Sequence, residues 1–251
     1  MGARRGDLSA ADEIAAQGSR VAERTGNRHW ITDWQWRRVT RLFWGGRWDE
    51  AAELADSLGE PPNLIAIARG NARELLPQIE RQLDEARRSR RPDQLPNMLA
   101  VYSRALLATG REKDARKIGD ALIASLRIQW ATSGTLLWSV IAQVLTTLGR
   151  REALLAAVEQ APATPWTAAA AHLGRRRYDA AAELYAELGA RPQEADARLQ
   201  AAKSLITEGR PIEATQQLEK ALEFYRSVKA TPGIAEAEAL LVTTGQARGR
   251  G

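Results

Sequence analysis

One stretch of this chain returns with its spacing intact. Gly46-Arg47-Trp48-Asp49-Glu50-Ala51-Ala52-Glu53-Leu54 is restated as Arg177-Tyr178-Asp179-Ala180-Ala181-Ala182-Glu183-Leu184. The echo continues downstream, where Leu58-Gly59 and Pro62 answer Leu188-Gly189 and Pro192. Such recurrence constrains the fold more than any bulk property. It implies one supersecondary unit used several times, stacked so that neighbours bury a face that no unit buries alone.

Gly6, Gly46, Gly110, Gly149, Arg176 and Gly209 align as equivalent turn positions. Five residues after them stand Ala11, Ala51, Ala115, Leu154, Ala181 and Ala214, a mostly small slot. Four residues before the later five turns stand Leu42, Leu106, Leu145, His172 and Leu205, and seven before them Val39, Ser103, Ala142, Ala169 and Ala202. Large slots facing small ones let antiparallel helices approach closely.

Apolar residues at helical spacing predict a first helix from Leu8 to Arg24 and an aromatic one from Trp30 to Trp44. Further helices are expected at Trp48–Leu58, Leu64–Arg69, about Leu76–Ser89 with Pro77 in its first turn, Leu95–Thr109 and Lys113–Ile128. Thr135–Leu148, Glu152–Gln160, Trp166–Leu173, Tyr178–Leu188, Pro192–Glu208, Ile212–Val228 and Gly233–Leu241 complete the set. Repeat boundaries between Pro61 and Pro92 stay open. No stretch alternates with period two, so no sheet is expected. Residues 1–244 read as a single helical repeat domain and 245–251 as a disordered tail.

These slots resemble the tetratricopeptide repeat, a helix–turn–helix of about 34 residues with small residues at fixed offsets, an aromatic near the turn and a trailing proline. Gly46, Trp48, Ala51 and Pro62 match it, as do Tyr178, Ala181, Leu188 and Pro192, while the units around Gly70 and Gly149 match poorly. The resemblance implies an all-α, right-handed superhelix of about six or seven degenerate pairs. Within Tyr178–Leu241, Glu194-Ala195-Asp196-Ala197-Arg198-Leu199, Ala221–Val228 and Ala235–Leu241 resemble a narrower group. It is the C-terminal repeat region of actinobacterial signalling proteins and large ATP-binding transcriptional regulators. Those proteins join a nucleotide cyclase or DNA-binding domain to an ATPase module and a repeat tail. The resemblance implies a sensor or docking role. The chain starts at what resembles a second helix without its first, so a fragment of such a regulator is an alternative expectation.

Little in the sequence suggests catalysis. There is no phosphate-cradling glycine loop ending in Lys-Ser or Lys-Thr. The two histidines, His29 and His172, have no orienting carboxylate or nucleophile beside them in sequence, and with no cysteine in the chain a structural zinc site has too few ligands. Carboxylate pairs such as Asp49-Glu50, Asp84-Glu85 and Glu236/Glu238 fall on polar helix faces. No cofactor and no metal are expected, and the chain reads as non-enzymatic. No apolar run reaches the about 20 residues that span a bilayer, and no secretory signal follows Met1, so a cytoplasmic location is expected.

The charge is +5, from 36 basic against 31 acidic residues. A basic nucleic-acid-binding repeat protein is therefore the alternative to protein binding. Most arginines, however, alternate with acids on helix faces, and Arg87-Arg88-Ser89-Arg90-Arg91 reads as a helix C-terminus, where cations suit the dipole. Five of the eight tryptophans fall between Trp30 and Trp48, either sealing the end of a stack or lining a groove. In tetratricopeptide arrays the first helix of each pair lines the concave side. Helical phase then points Trp36, Thr40, Phe43, Arg104, Ser139, Gln143, Trp166 and Lys203 into that groove. Such a strip suits a protein or peptide partner with an apolar anchor and an acidic group.

Overall fold

A computed structural model describes residues 17–18, 20–59, 62–89, 94–126 and 137–248. The described residues are helix and turn, with no strand among them. The helices are α1 (Arg28–Trp44), α2 (Trp48–Ser57), α3 (Asn63–Ala68), α4 (Ala72–Arg88), α5 (Leu95–Ala108), α6 (Glu112–Leu126) and α7 (Leu137–Thr147). They continue with α8 (Arg151–Gln160), α9 (Pro165–Gly174), α10 (Tyr178–Glu187), α11 (Arg191–Thr207), α12 (Pro211–Ser227) and α13 (Thr231–Arg248). Residues 17, 18 and 20–25 are helical as well. The rest of the helix expected from Leu8, with the Gly6 turn and Ala11, lies outside the described residues, as do Pro61, Arg90-Arg91 and Thr135.

Two expectations change. The helix containing Pro77 starts at Ala72, immediately after the Gly70-Asn71 turn, so the proline sits inside it and not in its first turn. The last helix runs to Arg248 instead of ending near Leu241, so residues 245–248 are helical and not a disordered tail. Gly245 lies inside this helix. A glycine inside a helix costs about 1 kcal/mol relative to alanine, which weakens a helix without stopping it.

The five aligned turns that are described share one geometry. Gly46, Gly110, Gly149 and Gly209 have φ between +73° and +77°, and Arg176 stands in the same left-handed region at +58°. The next residue is arginine every time. Its N–H reaches back to the slot four before the turn, from Arg47 to Leu42 O at 2.8 Å, Arg111 to Leu106 O at 2.9 Å and Arg150 to Leu145 O at 2.7 Å. Arg177 reaches His172 O at 2.9 Å and Arg210 reaches Leu205 O at 2.8 Å. The turn residue itself donates three residues back, as from Gly46 to Phe43 O at 3.2 Å. This pair of bonds is the Schellman ending, which satisfies carbonyls that a helix C-terminus leaves open. The unit around Gly149, poorly matched in sequence, has the same ending.

The arginine carbonyl then accepts the first hydrogen bond of the next helix, from Ala51, Ala115, Leu154, Ala181 or Ala214. All five of these acceptor-bound residues are 0% exposed. Ser103, Ala142, Ala169 and Ala202 are 0% exposed too, with Val39 at 4%. The large slot is buried at Leu42, Leu106, Leu145 and Leu205, and only partly at His172. Turn and close contact are thus one device. The left-handed residue reverses the chain, and the small residue five later lets the returning helix settle against its partner.

The described chain divides into two compact units, one taking the residues up to Ile65 and from Glu183 onwards, the other Ala66–Ala182. In the second unit α5 packs against α4, α6 and α7, and α9 packs against α7 and α8. In the first, α1 pairs with α2, α12 lies between α11 and α13, and α1 also packs on α11. Aromatic rings join these segments, which are remote in sequence. Phe43 stacks on Trp48 at 5.4 Å between centroids, and Trp48 meets Phe224 edge-on at 5.8 Å. Trp48 Nε1–H donates to Phe43 O at 2.9 Å, so the buried indole is satisfied. Gly46 is needed here twice over. Its φ is +77°, and a Cβ on it would lie 3.0 Å from the Phe224 ring.

Two substitutions test this device. Ala51→Leu is expected to cost about 1–3 kcal/mol in urea unfolding, because there is no room at the fully buried contact. Lys229, with φ +61°, closes α12 in the left-handed conformation without being glycine. Lys229→Gly should therefore raise stability by up to about 1 kcal/mol in the same assay.

Candidate functional site

The eight residues expected to line a groove fall into both units. Trp36, Thr40, Phe43 and Lys203 belong to one, Arg104, Ser139, Gln143 and Trp166 to the other. Three of them lie in the core, since Phe43 is 9% exposed, Ser139 1% and Trp166 2%. Helical phase predicted them to be open to a partner. Burial places them instead between helices, because large aromatics bury wherever the stack lets them. Trp36 and Thr40 are half-buried on α1, and Thr40 Oγ1 donates to Trp36 O at 2.9 Å. Lys203 Nζ lies 2.6 Å from Glu236 Oε1, an ion pair between α11 and α13 open enough to be worth at most about 1 kcal/mol.

Arg104 and Gln143 are brought together. Arg104 Nη1 donates to Gln143 Oε1 between α5 and α7, two first helices that pack side by side. Both side chains are half-buried. The bridge holds a half-buried guanidinium at a fixed place between these helices, which lowers the entropy of ordering it around a ligand.

The tryptophan-rich stretch divides its labour. Trp44 and Trp48 are 4% and 3% exposed and seal the core of their unit, while Trp30 is 49% exposed. The side chain of His29 lies outside the described part.

The turn arginines read as solvated charge in the sequence, and the structure gives them a pattern. Arg47 pairs with Glu50, Arg111 with Asp114 at 2.7 Å and Arg210 with Glu213 at 2.6 Å, each reaching an acid three residues on. These contacts hold the Glu50 and Glu213 carboxyls below the usual carboxylate range, the Arg47 and Arg210 hydrogen bonds being the main cause. Arg150 has Ala153 at that offset and reaches across to Asp120 at 2.8 Å. Arg177 has Ala180 there and, among the described residues, no acidic partner. The signal was legible in principle, as an arginine after every turn with an acid three residues later in three cases.

Titratable groups with displaced equilibria are scattered. Burial pushes the Tyr185 hydroxyl above its ordinary range, with the Asp196 charge adding to it. Burial also raises Tyr102, helped by the charge of Glu80. His172 is pushed below 6.5, first by burial and then by the Arg177 and Arg175 charges. Its Nδ1 is buried and, among the described residues, has no hydrogen-bond partner. No group of three histidine or acidic residues among those described is placed to hold a metal. No described helix is long and apolar enough to cross a membrane.

No protein-family model and no curated protein matches the chain.

His172 supplies a pH test. The unfolded chain takes up a proton near pH 6.5 while the folded imidazole resists it, so stability falls as pH drops below about 6.5 until the folded group also titrates. Leucine occupies this slot in four other pairs. His172→Leu is therefore expected to shrink the loss of Tm between roughly pH 7.5 and 5.5, measured by circular dichroism.

Proposed function

We propose that the chain is a non-catalytic protein-interaction module built of degenerate tetratricopeptide-like pairs, with the right-handed superhelical twist of that architecture. The observation that carries this reading is the Arg104–Gln143 bridge across adjacent first helices, a preorganised polar anchor on a half-exposed face. Around it the surface supplies what a docked segment needs. Gln143 and Thr146 on α7 and Leu107 on α5 are only partly covered, and the helices beneath them are pinned by fully buried Ala115, Ala142 and Leu145. Binding there would order few side chains, so little of the contact energy is lost to reorganisation. Trp36 on α1 would give the other unit an apolar anchor of the kind typical of hot spots.

In this reading the protein works in the cytoplasm as the sensor or docking part of a bacterial signalling or transcription-regulating system. The C-terminal resemblance supports that context, and the repeat core supports binding without assigning a reaction. Arg104→Ala should abolish or weaken by about tenfold the capture of a partner that wild-type protein retains, with unchanged helicity. A partner bound equally well by Arg104→Ala and Trp36→Ala proteins would refute the face assigned here.

A further inference from the structure

The pair formed by α9 and α10 departs from the turn pattern at four places at once. His172 replaces leucine in the large slot, Arg176 replaces glycine at the turn, and Ala180 replaces the acid that neutralises the following arginine in three other pairs. Arg175 stands where the other turns have Gly45, Thr109, Leu148 and Glu208. Side chains that break a repeated rule at one place point to selection for something other than folding.

The result is a concentration of positive charge. Arg175, Arg176 and Arg177 are all exposed, and among the described residues none of them is ion-paired. Arg151 lies against the same turn. Its Nη1 donates to Leu173 O and its Nη2 to Tyr178 Oη, both at 2.9 Å, and its guanidinium lies 5.9 Å from the Tyr178 ring. These neutral partners fix Arg151 without cancelling its charge. Glu152 and Asp179, the adjacent acids, form no ion pair with the four arginines.

The helix dipole does not explain the cluster. Cations favour the C-terminal turn of any helix, yet none of the other four turns has an arginine at the left-handed position or directly before it, and only the Gly149 turn is followed by two, Arg150 and Arg151. Arg176 also adopts a conformation that costs a non-glycine residue about 1–2 kcal/mol. Mutual repulsion of neighbouring guanidiniums adds to that cost. A bound anion would relieve it.

We infer that the α9–α10 turn is a docking surface for an acidic segment of a partner protein, gripped by Arg151, Arg175, Arg176 and Arg177. Guanidinium forks match carboxylates in bidentate pairs. The patch is short, because the turn arginines on either side in sequence, Arg150 and Arg210, are already neutralised by Asp120 and Glu213. That favours a few clustered carboxylates over a nucleic-acid backbone, which needs a longer run of free cations. The inference rests on the protein-binding reading and names a partner chemistry away from the Arg104 face.

The test is fluorescence anisotropy with a labelled alternating Asp-Glu peptide of roughly 12 residues, in low and physiological salt. Arg175→Gln/Arg177→Gln should bind at least about tenfold more weakly than wild type. Lys113→Gln/Lys117→Gln, an equal charge loss on exposed positions of α6, should bind within about twofold of wild type. Arg176→Gly separates binding from folding, since it should bind more weakly while its Tm rises. Absence of peptide binding to the wild type overturns the inference, and so does equal weakening in the α6 variant. Labelled oligothymidylate bound more tightly than the peptide, and lost in the same variants, overturns it in favour of nucleic acid. If the peptide fails while Arg104→Ala still loses its partner, only this inference falls.

Discussion

A single backbone hydrogen bond recurs through this fold, from the residue after a left-handed turn position to the carbonyl five residues before it. It closes each first helix at Leu42, Leu106, Leu145, His172 and Leu205. Because that carbonyl belongs to a core-facing residue, closing the helix also fixes where the core begins. The same arginine that donates the bond then accepts, through its own carbonyl, the first bond of the next helix. Reversal, register and packing distance are set within about six residues, before any long-range contact is made. The connections between pairs use the same bond, as from Ala190 to Tyr185 O and from Ala230 to Tyr225 O.

In the unit that contains both Trp48 and Phe224, the turn has a second use. Gly46 leaves space for the Phe224 ring and for Arg191, whose guanidinium lies 5.4 Å from the centre of that ring. Segments far apart in sequence therefore meet over a turn, where little side-chain entropy remains to be lost. Tyr225, next to Phe224, donates to Asp196 at 2.8 Å, and Arg198 bridges Glu194 at 2.7 Å and Gln217 at 3.0 Å. These polar contacts tie α11 to α12.

That difference marks what the sequence could and could not convey. Turns and close contacts were legible because they are local. A left-handed residue, a leucine four before it and an alanine five after it are fixed offsets, and they located even Arg176 in a glycine's place. Helix existence followed from period, and errors gathered at helix boundaries, before Pro77 and after Leu241. The groove was less legible. Phase shows which way a side chain leaves its own helix and not what the next helix places there, so Trp166 and Ser139 were assigned to an open face and lie in the core. The Trp48–Phe224 contact had no sequence signal at all, since it joins residues with no shared motif.

The same locality gives the departures at His172, Arg175, Arg176 and Ala180 their meaning. In an array whose rules are set by offsets, a change at one slot is felt by one turn, and neighbouring pairs do not compensate for it. Scattered departures would be the ordinary wear of a degenerate repeat. Departures gathered on one turn, each raising positive charge, removing its neutralising acid or burying an imidazole beside it, are different. They lower the stability of one pair in several ways and leave one product in common, a cationic edge held in place by Arg151. The other four described turns keep glycine at the reversal and leucine four residues before it. The weakest pair of a modular fold is in this sense the one best suited to carry a binding surface.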